Sequence, residues 1–445
     1  MNSTLITNAK IVNEGKVFEG DVLIKGQFIE KIGSQINSHA DRIIDAKGNF
    51  LLPGVIDDQV HFREPGLTYK GNIFTESRAA VAGGVTTFME MPNTSPPAFT
   101  QVLLEDKYQL AARTSLANYS FYLGTSHDNL EEILRLDLKN VCGLKIFMGS
   151  STGNLLVDDP EILENIFSRF PSLIATHCEH EPTIRKNTIE FREKYGEDMS
   201  VSYHSQLRSE EACYKSSSFA VGLARKHGTK LHILHISTAK ETHLFDNTIS
   251  LEKKKITAEA CVHHLWFNDQ DYDRLGMLIK WNPAIKTGHD QNEILAALLD
   301  DRIDVIATDH APHTIEEKAN KYFQAPSGGP LIQHSLVAMM EFVHQKKISI
   351  EKMVQKMSHN PAILFEIEKR GYIREGYFAD MVLVNPNQPW QINKNNILAK
   401  CGWSPFEGNT FHSSISHTWV SGHLAYANGQ LHEGKLGERL TFLRP

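Results

Sequence analysis

The chain has 445 residues, 41% of them hydrophobic and 22% charged, with a formal net charge of −7 and a pI near 6.3. That length exceeds one ordinary domain and suits a barrel with a smaller companion, while the acidic balance and scattered Lys and Arg exclude a nucleic-acid or anionic-membrane surface. No run approaches 18 apolar residues, the opening MNSTLITNAK lacks an apolar signal region, and five Cys without a C-x-x-C pair suit a reducing cytoplasm rather than a disulfide framework.

Residues 1–52 alternate in short β-type runs, TLITNAKIVN, VFEGDVLIKG, QFIEKIGS and NFLLPG, punctuated by Gly, Asn and Lys. From 53 to 365, eight apolar runs predict strands: GVIDDQVHF, VTTFMEM, YSFYLG, VCGLKIFM, SLIATHCE, KLHILHIS, ITAEACVHH and DVIATDHA. Amphipathic helical patterns separate them, among them PEILENIFSRF, SSSFAVGLARKHG and QNEILAALLDD. Eight alternations predict an α/β fold, a parallel (β/α)8 barrel of the TIM type. Residues 366–445 return to β texture in MVLVNP, HTWVSG and HLAYANGQL. The two β-rich ends predict one small β-sandwich domain formed by both termini, with two separate β modules as the alternative. Loops at 150–158 and 325–330 follow barrel strands, where a barrel carries its site, and the first is a candidate lid.

Ionisable residues gather at the C-terminal ends of these runs. The first ends Gln59-Val60-His61-Phe62-Arg63, and strand alternation turns 59, 61 and 63 one way, into the barrel mouth. Lys145 lies in GLKIF, His177 closes SLIATH, His235 closes KLHILH, and Asp309 closes DVIATD ahead of His310 and His313. One His at a strand end is ordinarily a hydrogen-bonded structural residue. Several converging with an Asp on one barrel face form a ligand set that suits zinc. A protonated Lys there would repel the metal. Burial beside cations lowers its pKa, and the neutral amine can add CO2 to give a carbamate whose two oxygens can bridge metals.

Ten segments carry a resemblance: PGVIDDQVHFREPG (53–66), AVAGGVTTFMEMPNT (80–94), GLKIFMG (143–149), ATHCE (175–179), HILHIST (232–238), VHHL (262–265), ATDHAPHTIEEK (307–318), HNPA (359–362), GYFADMVLV (376–384) and WSPFEG (403–408). They span nearly the whole chain, and it resembles the dihydroorotases of the long bacterial and multifunctional-protein type, in the amidohydrolase superfamily. The resemblance implies a zinc-dependent cyclic amidohydrolase that interconverts L-dihydroorotate and N-carbamoyl-L-aspartate in pyrimidine (UMP) synthesis. It implies Lys145 as the carboxylated bridging ligand, His177 and His235 on the more exposed metal, and His61 and Asp309 on the more buried one. Asp309 would also shuttle a proton. Arg63 and Asn93 would grip the substrate carboxylate, Asn282 and His313 would contact ring and carboxylate, and backbone at Ser327 and Gly328 would meet the ring amide. Glu179 and His180 are expected to orient a ligand, His232 to pack or to support one, His263 and His264 to be structural, and the Cys to fill core. The expected assembly is a homo-oligomer, a dimer, with aspartate transcarbamoylase as a candidate partner.

Two positions depart from the pattern. Gln59 stands where the family has the first His of H-x-H, and Tyr69 where a His is common. An amide oxygen is a weaker zinc donor than an imidazole. The expectation is therefore one tight zinc at His177 and His235, with a second site near Gln59 that is weak or absent. Two other readings stay open. A sister hydrolase, an allantoinase or dihydropyrimidinase, would have no use for a carboxylate grip. A non-catalytic scaffold for aspartate transcarbamoylase should have lost ligands that this chain keeps.

Overall fold

The computed structural model describes residues 3–149 and 155–444. Its centre is a closed parallel barrel whose strands are Val55–Val60, Val85–Glu90, Asn118–Phe121 continuing as Leu123–Gly124, Leu144–Phe147, Ile174–His177, Leu231–Ile233, Ile256–Cys261 and Val305–Ala307. Each coincides with one of the eight runs, Asn118 alone standing one residue ahead of its run. A parallel bridge between Val60 and His310 closes the ring, and the His61 N–H donates to the His310 carbonyl at 2.7 Å. The runs are mostly apolar because a barrel strand is covered on both faces; every residue of Val85–Glu90 is buried, Thr86, Thr87 and Glu90 included.

Local signals set the helices between them. Pro160–Arg169 begins on Asp159, whose side chain accepts from the Glu161 and Ile162 N–H groups, with Pro in the first turn. Glu210–His227 has Ser209 as its cap, Glu210 and Glu211 in the first turn and three basic residues in the last. It stops at Gly228, whose left-handed backbone (φ 68°) suits glycine. No helix among the described residues is long and apolar enough to cross a membrane.

Both termini join in one nine-stranded sheet. The join is Met381–Asn385, antiparallel to Phe50–Pro53, so the ends build one domain and not two modules. Hydrogen bonds connect all its strands, and Ser3–Asn13 pairs Arg42–Asp45 along its first half and Phe50–Pro53 along its second, so the expected small β domain of both termini encloses a core of its own. Arg42–Asp45 runs parallel to Ser3–Asn13 and escapes the sequence reading, because RIID is short and half polar. The sheet is apolar on two sides. Met381, Leu383 and Trp419 share a core with Ile6, Ile11 and Val22, while Val382 and Val384 pack into the barrel's own cluster. The unbroken MVLV run follows from this double burial. The C-terminal tail returns to the barrel, where the Arg444 guanidinium donates to the carbonyls of Val141, Cys142 and Phe365.

Candidate active site

The six residues expected around metal, Gln59, His61, Lys145, His177, His235 and Asp309, line one cavity of about 290 Å³ at the barrel mouth. The six expected around substrate, Arg63, Asn93, Asn282, His313, Ser327 and Gly328, line the same cavity. Strand alternation is not what places them all. The first strand ends at Val60, so His61 and Arg63 lie beyond it, and Arg63 has a left-handed backbone at φ 71°. His235 and Asp309 share that conformation, at φ 40° and 47°. Such backbone is costly for a residue with a side chain and persists where the surrounding structure enforces it, often at functional sites.

Two pairs of ligand atoms face each other. His177 Nδ1 lies 2.9 Å from His235 Nε2. On the far side of His177, Glu179 Oε2 is 3.0 Å from Nε2 and is itself paired with Arg208. The carboxylate accepts the Nε2 proton, which leaves Nδ1 a lone pair. Burial lowers the pKa of both imidazoles, an effect reinforced at His235 by His177 and Lys145. Both are therefore neutral near pH 7, the form that ligates a metal.

The second pair is His61 Nε2 and Asp309 Oδ1, 3.1 Å apart. Asn93 Oδ1, at 2.7 Å from His61 Nδ1, takes that ring proton and turns the Nε2 lone pair toward Asp309. Gln59 donates its amide N–H to the same Asp309 oxygen at 3.2 Å, while its Oε1 faces the Cys261 sulfur at 3.9 Å. Its oxygen is thus turned away from the His61–Asp309 pair. Lys145 completes the set. It is 1% exposed and its Nζ makes no hydrogen bond among the described residues. Burial brings the amine down to about 7 against the opposing charges of Asp309 and Glu259.

On the substrate side, Arg63 Nε donates to the Pro312 carbonyl at 3.0 Å. Lys70 Nζ lies 3.0 Å from His313 Nδ1, and both Arg63 Nη2 and the Ser327 carbonyl lie 3.0 Å from His313 Nε2. Asn282 Oδ1 is buried without a partner among the described residues. At Gly328 (φ 122°) a Cβ would sit 2.6 Å from the Ala311 carbonyl oxygen, so only glycine permits this approach.

Several features escaped the sequence reading. Lys280 Nζ donates to the Tyr322 and Ala325 carbonyls at 2.6 and 2.5 Å, and Lys318 Nζ to Pro326 and Gly328 at 3.0 and 2.9 Å. These two buried lysines hold the loop that carries Ser327 and Gly328. Nothing local distinguishes them from surface lysines. Arg208, Phe147 and Trp281 also line the cavity. Phe147 was in view, two residues from Lys145 on the same strand. Arg208 follows no strand, so no pattern marked it.

The neighbouring expectations divide. Glu179 orients His177, but His180 does not; its Nδ1 is 2.8 Å from Thr183 Oγ1 at the start of helix Glu181–Tyr195. His263 stacks on Trp281 at 4.6 Å and His264 Nε2 donates to the Pro283 carbonyl at 3.2 Å, both outside the cavity lining. Tyr69 hydrogen-bonds Glu317 at 2.9 Å and is 56% exposed, so that departure leaves the cavity untouched. All five Cys are free thiols, and burial pushes Cys142 and Cys178 up to about 12 and about 11, which disqualifies them as nucleophiles. Of the candidate lid at 150–158, residues 150–154 lie outside the described residues; in the remainder the Val157 N–H donates to the Phe147 carbonyl at 2.9 Å.

A profile of the amidohydrolase family matches residues 50–425, which includes the whole barrel and every cavity residue named above. The chain belongs to that family. This amidohydrolase is 33% identical to a dihydroorotase of Methanosarcina mazei, over 91% of its own length and 90% of the relative's. It is 28% identical to an allantoinase of Bacillus velezensis, over 99% and 97%. Its fold matches that of the L-hydantoinase (dihydropyrimidinase) from Arthrobacter aurescens with a TM-score of 0.94, at 25% identity, covering 99% of this chain and 100% of the other. Amidohydrolases are generally metal-dependent, and the close-set His177 and His235 ring nitrogens, with a buried Lys145 amine that makes no hydrogen bond among the described residues, suit a metal site.

Proposed function

We propose that this amidohydrolase is a dihydroorotase, interconverting L-dihydroorotate and N-carbamoyl-L-aspartate in pyrimidine (UMP) synthesis in a reducing cytoplasm. The observation that carries the reading is a carboxylate grip built into the cation set: Asn93 is bonded to His61, and Arg63 lines the same small cavity. The 33% identical dihydroorotase supports it. Uncharged rings such as allantoin would bring no carboxylate to the Arg63 guanidinium, which holds the Pro312 carbonyl and His313 and has further N–H groups to offer.

Lys145 carries a carbamate and, with His177, His235, His61 and Asp309, holds zinc. When bound, zinc acidifies water toward neutral pKa and polarises a carbonyl. Asp309 accepts the proton of the attacking water and delivers it to the leaving ring nitrogen; in the synthetic direction it takes that proton back. Arg63 and Asn93 hold the substrate carboxylate, Arg63 through its planar fork. Asn282 Oδ1, buried and unpartnered, accepts a ring N–H, and backbone at Ser327 and Gly328 completes the ring contact. His313, held between Lys70 and Ser327, steadies the carboxylate end. Fixing both ends of the ring lowers the entropic part of the barrier.

The test is hydrolysis of dihydroorotate, allantoin and dihydrouracil by the zinc-loaded protein, with its metal content measured in parallel. Dihydroorotate should be turned over fastest. Faster allantoin or dihydrouracil turnover assigns a sister hydrolase. No metal and no activity on added zinc assigns a scaffold for aspartate transcarbamoylase, the reading that Gln59 favours.

A further inference from the structure

Deeper in the barrel lies a second group of ionisable side chains that this chemistry does not use. Asp58 on the first strand, His232 on the sixth and Glu259 on the seventh are each 0% exposed. One ligand atom of each lies within 4.8 Å of the other two. His232 Nε2 is 3.2 Å from Asp58 Oδ2 and 3.9 Å from Glu259 Oε2. These separations bracket the edge of a tetrahedral zinc site, ~3.3–3.5 Å for zinc–ligand bonds of ~2.0–2.1 Å.

Hydrogen bonding fixes the His232 tautomer. Thr257 Oγ1 donates to the Leu231 carbonyl at 3.2 Å, so it accepts from His232 Nδ1–H at 2.9 Å. The Nε2 lone pair then faces two carboxylates, an arrangement that demands positive charge between them. Both Asp58 oxygens, Glu259 Oε2 and His232 Nε2 are buried with no hydrogen-bond partner among the described residues. A single proton on Nε2 would satisfy one of those oxygens and leave one carboxylate charge that only a second proton, on Glu259, which burial pushes up to about 7, would cancel. A divalent cation would satisfy the nitrogen and both carboxylates and cancel both charges.

We propose that Asp58, His232 and Glu259 form a buried divalent-cation site, filled by zinc and separate from the cation set at the barrel mouth. Glu259 couples the two. Its Oε1 accepts from the His235 backbone N–H at 2.9 Å and from the Cys261 thiol at 3.0 Å, so an ion on Oε2 stiffens the support of His235. With every ligand enclosed, the ion enters during folding and resists dialysis.

The test is anomalous diffraction at the zinc edge from crystals of the full chain, expressed with added zinc and dialysed against a chelator. The expected result is a peak among Asp58, His232 and Glu259, and about one zinc fewer per chain in Asp58→Asn. No peak there, with equal zinc in wild type and Asp58→Asn, overturns the site and assigns the cluster to protons shared by His232 and Glu259; a peak at His177 and His235 would still stand on its own. A peak at the buried group with none at the mouth in zinc-soaked crystals keeps this site and removes the proposed cation set instead. Should Asp58→Asn fail to fold, the wild-type map decides alone.

Discussion

The two halves of the barrel mouth are built from the same kinds of side chain and reach different states. In the His177–His235 half, Glu179 supports the His177 ring and Glu259 accepts from the His235 backbone N–H, and two ring nitrogens face each other. In the His61–Asp309 half, the Gln59 amide donates to the carboxylate that a metal would need. One half has two ring nitrogens bonded only to each other among the described residues. The other has part of its ligand charge already occupied by a hydrogen bond. What makes a histidine or carboxylate a ligand is therefore the commitment of its remaining atoms, more than its residue type.

Removing the group shared by both halves should have the largest effect. Lys145→Ala is expected to lose bound zinc and to reduce turnover to background, with short carboxylic acids partly restoring both by replacing the carbamate. Metal analysis beside the assay checks this, and retention of zinc and rate would show that the halves are not bridged. Asp309→Asn acts on one half alone. It should lower kcat by ~10²–10⁴-fold, the usual yield of a positioned proton acceptor, while circular dichroism stays unchanged. A near-normal kcat would take Asp309 out of the proton path.

Arg63→Lys leaves both halves intact and loosens only the substrate. A lysine keeps the charge without the fork, so kcat/KM should fall by ~1.5–3 kcal/mol, about 10–150-fold, mostly through KM. Unchanged steady-state constants would mean that Arg63 does not hold the carboxylate. Gln59→His should move the rate least and the comparison most. It restores an imidazole to the weaker half, so zinc retained at the mouth after dialysis should rise, and dependence on added zinc should fade. Equal zinc content in wild type and variant would show that the halves were never unequal.

Much of this site is legible along the chain because barrel strands are short and the polar residues of each run fall at the strand's C-terminal end or within a few residues of it. His177, closing SLIATH, is buried at the end of Ile174–His177, and Gln59 stands out as the one amide in the ring. Arg208, Lys280 and Lys318 are not legible in this way, since a basic residue in a helical or loop segment has the same sequence signature whether it is exposed or enclosed. His232 is an intermediate case: its proximity to His235 points to a supporting role, and its real partners, Asp58 and Glu259, come from other strands.

By itself the sequence determined the parallel barrel, the β-rich character of both ends and the set of residues near the strand ends, because apolar period and run length are local properties read over a few residues; that the two ends join in one sheet was settled by the fold. Tertiary structure alone decided which atoms of those residues meet. His61 and Asp309 are 248 positions apart in the chain and 3.1 Å apart in the fold. The left-handed backbone at Arg63, His235 and Asp309, the tautomers of His61, His177 and His232, and the unpartnered amine of Lys145 all depend on groups that arrive only when the barrel closes. No local pattern encodes that closure, because the stabilising contacts come from distant strands and are absent until the ring is complete.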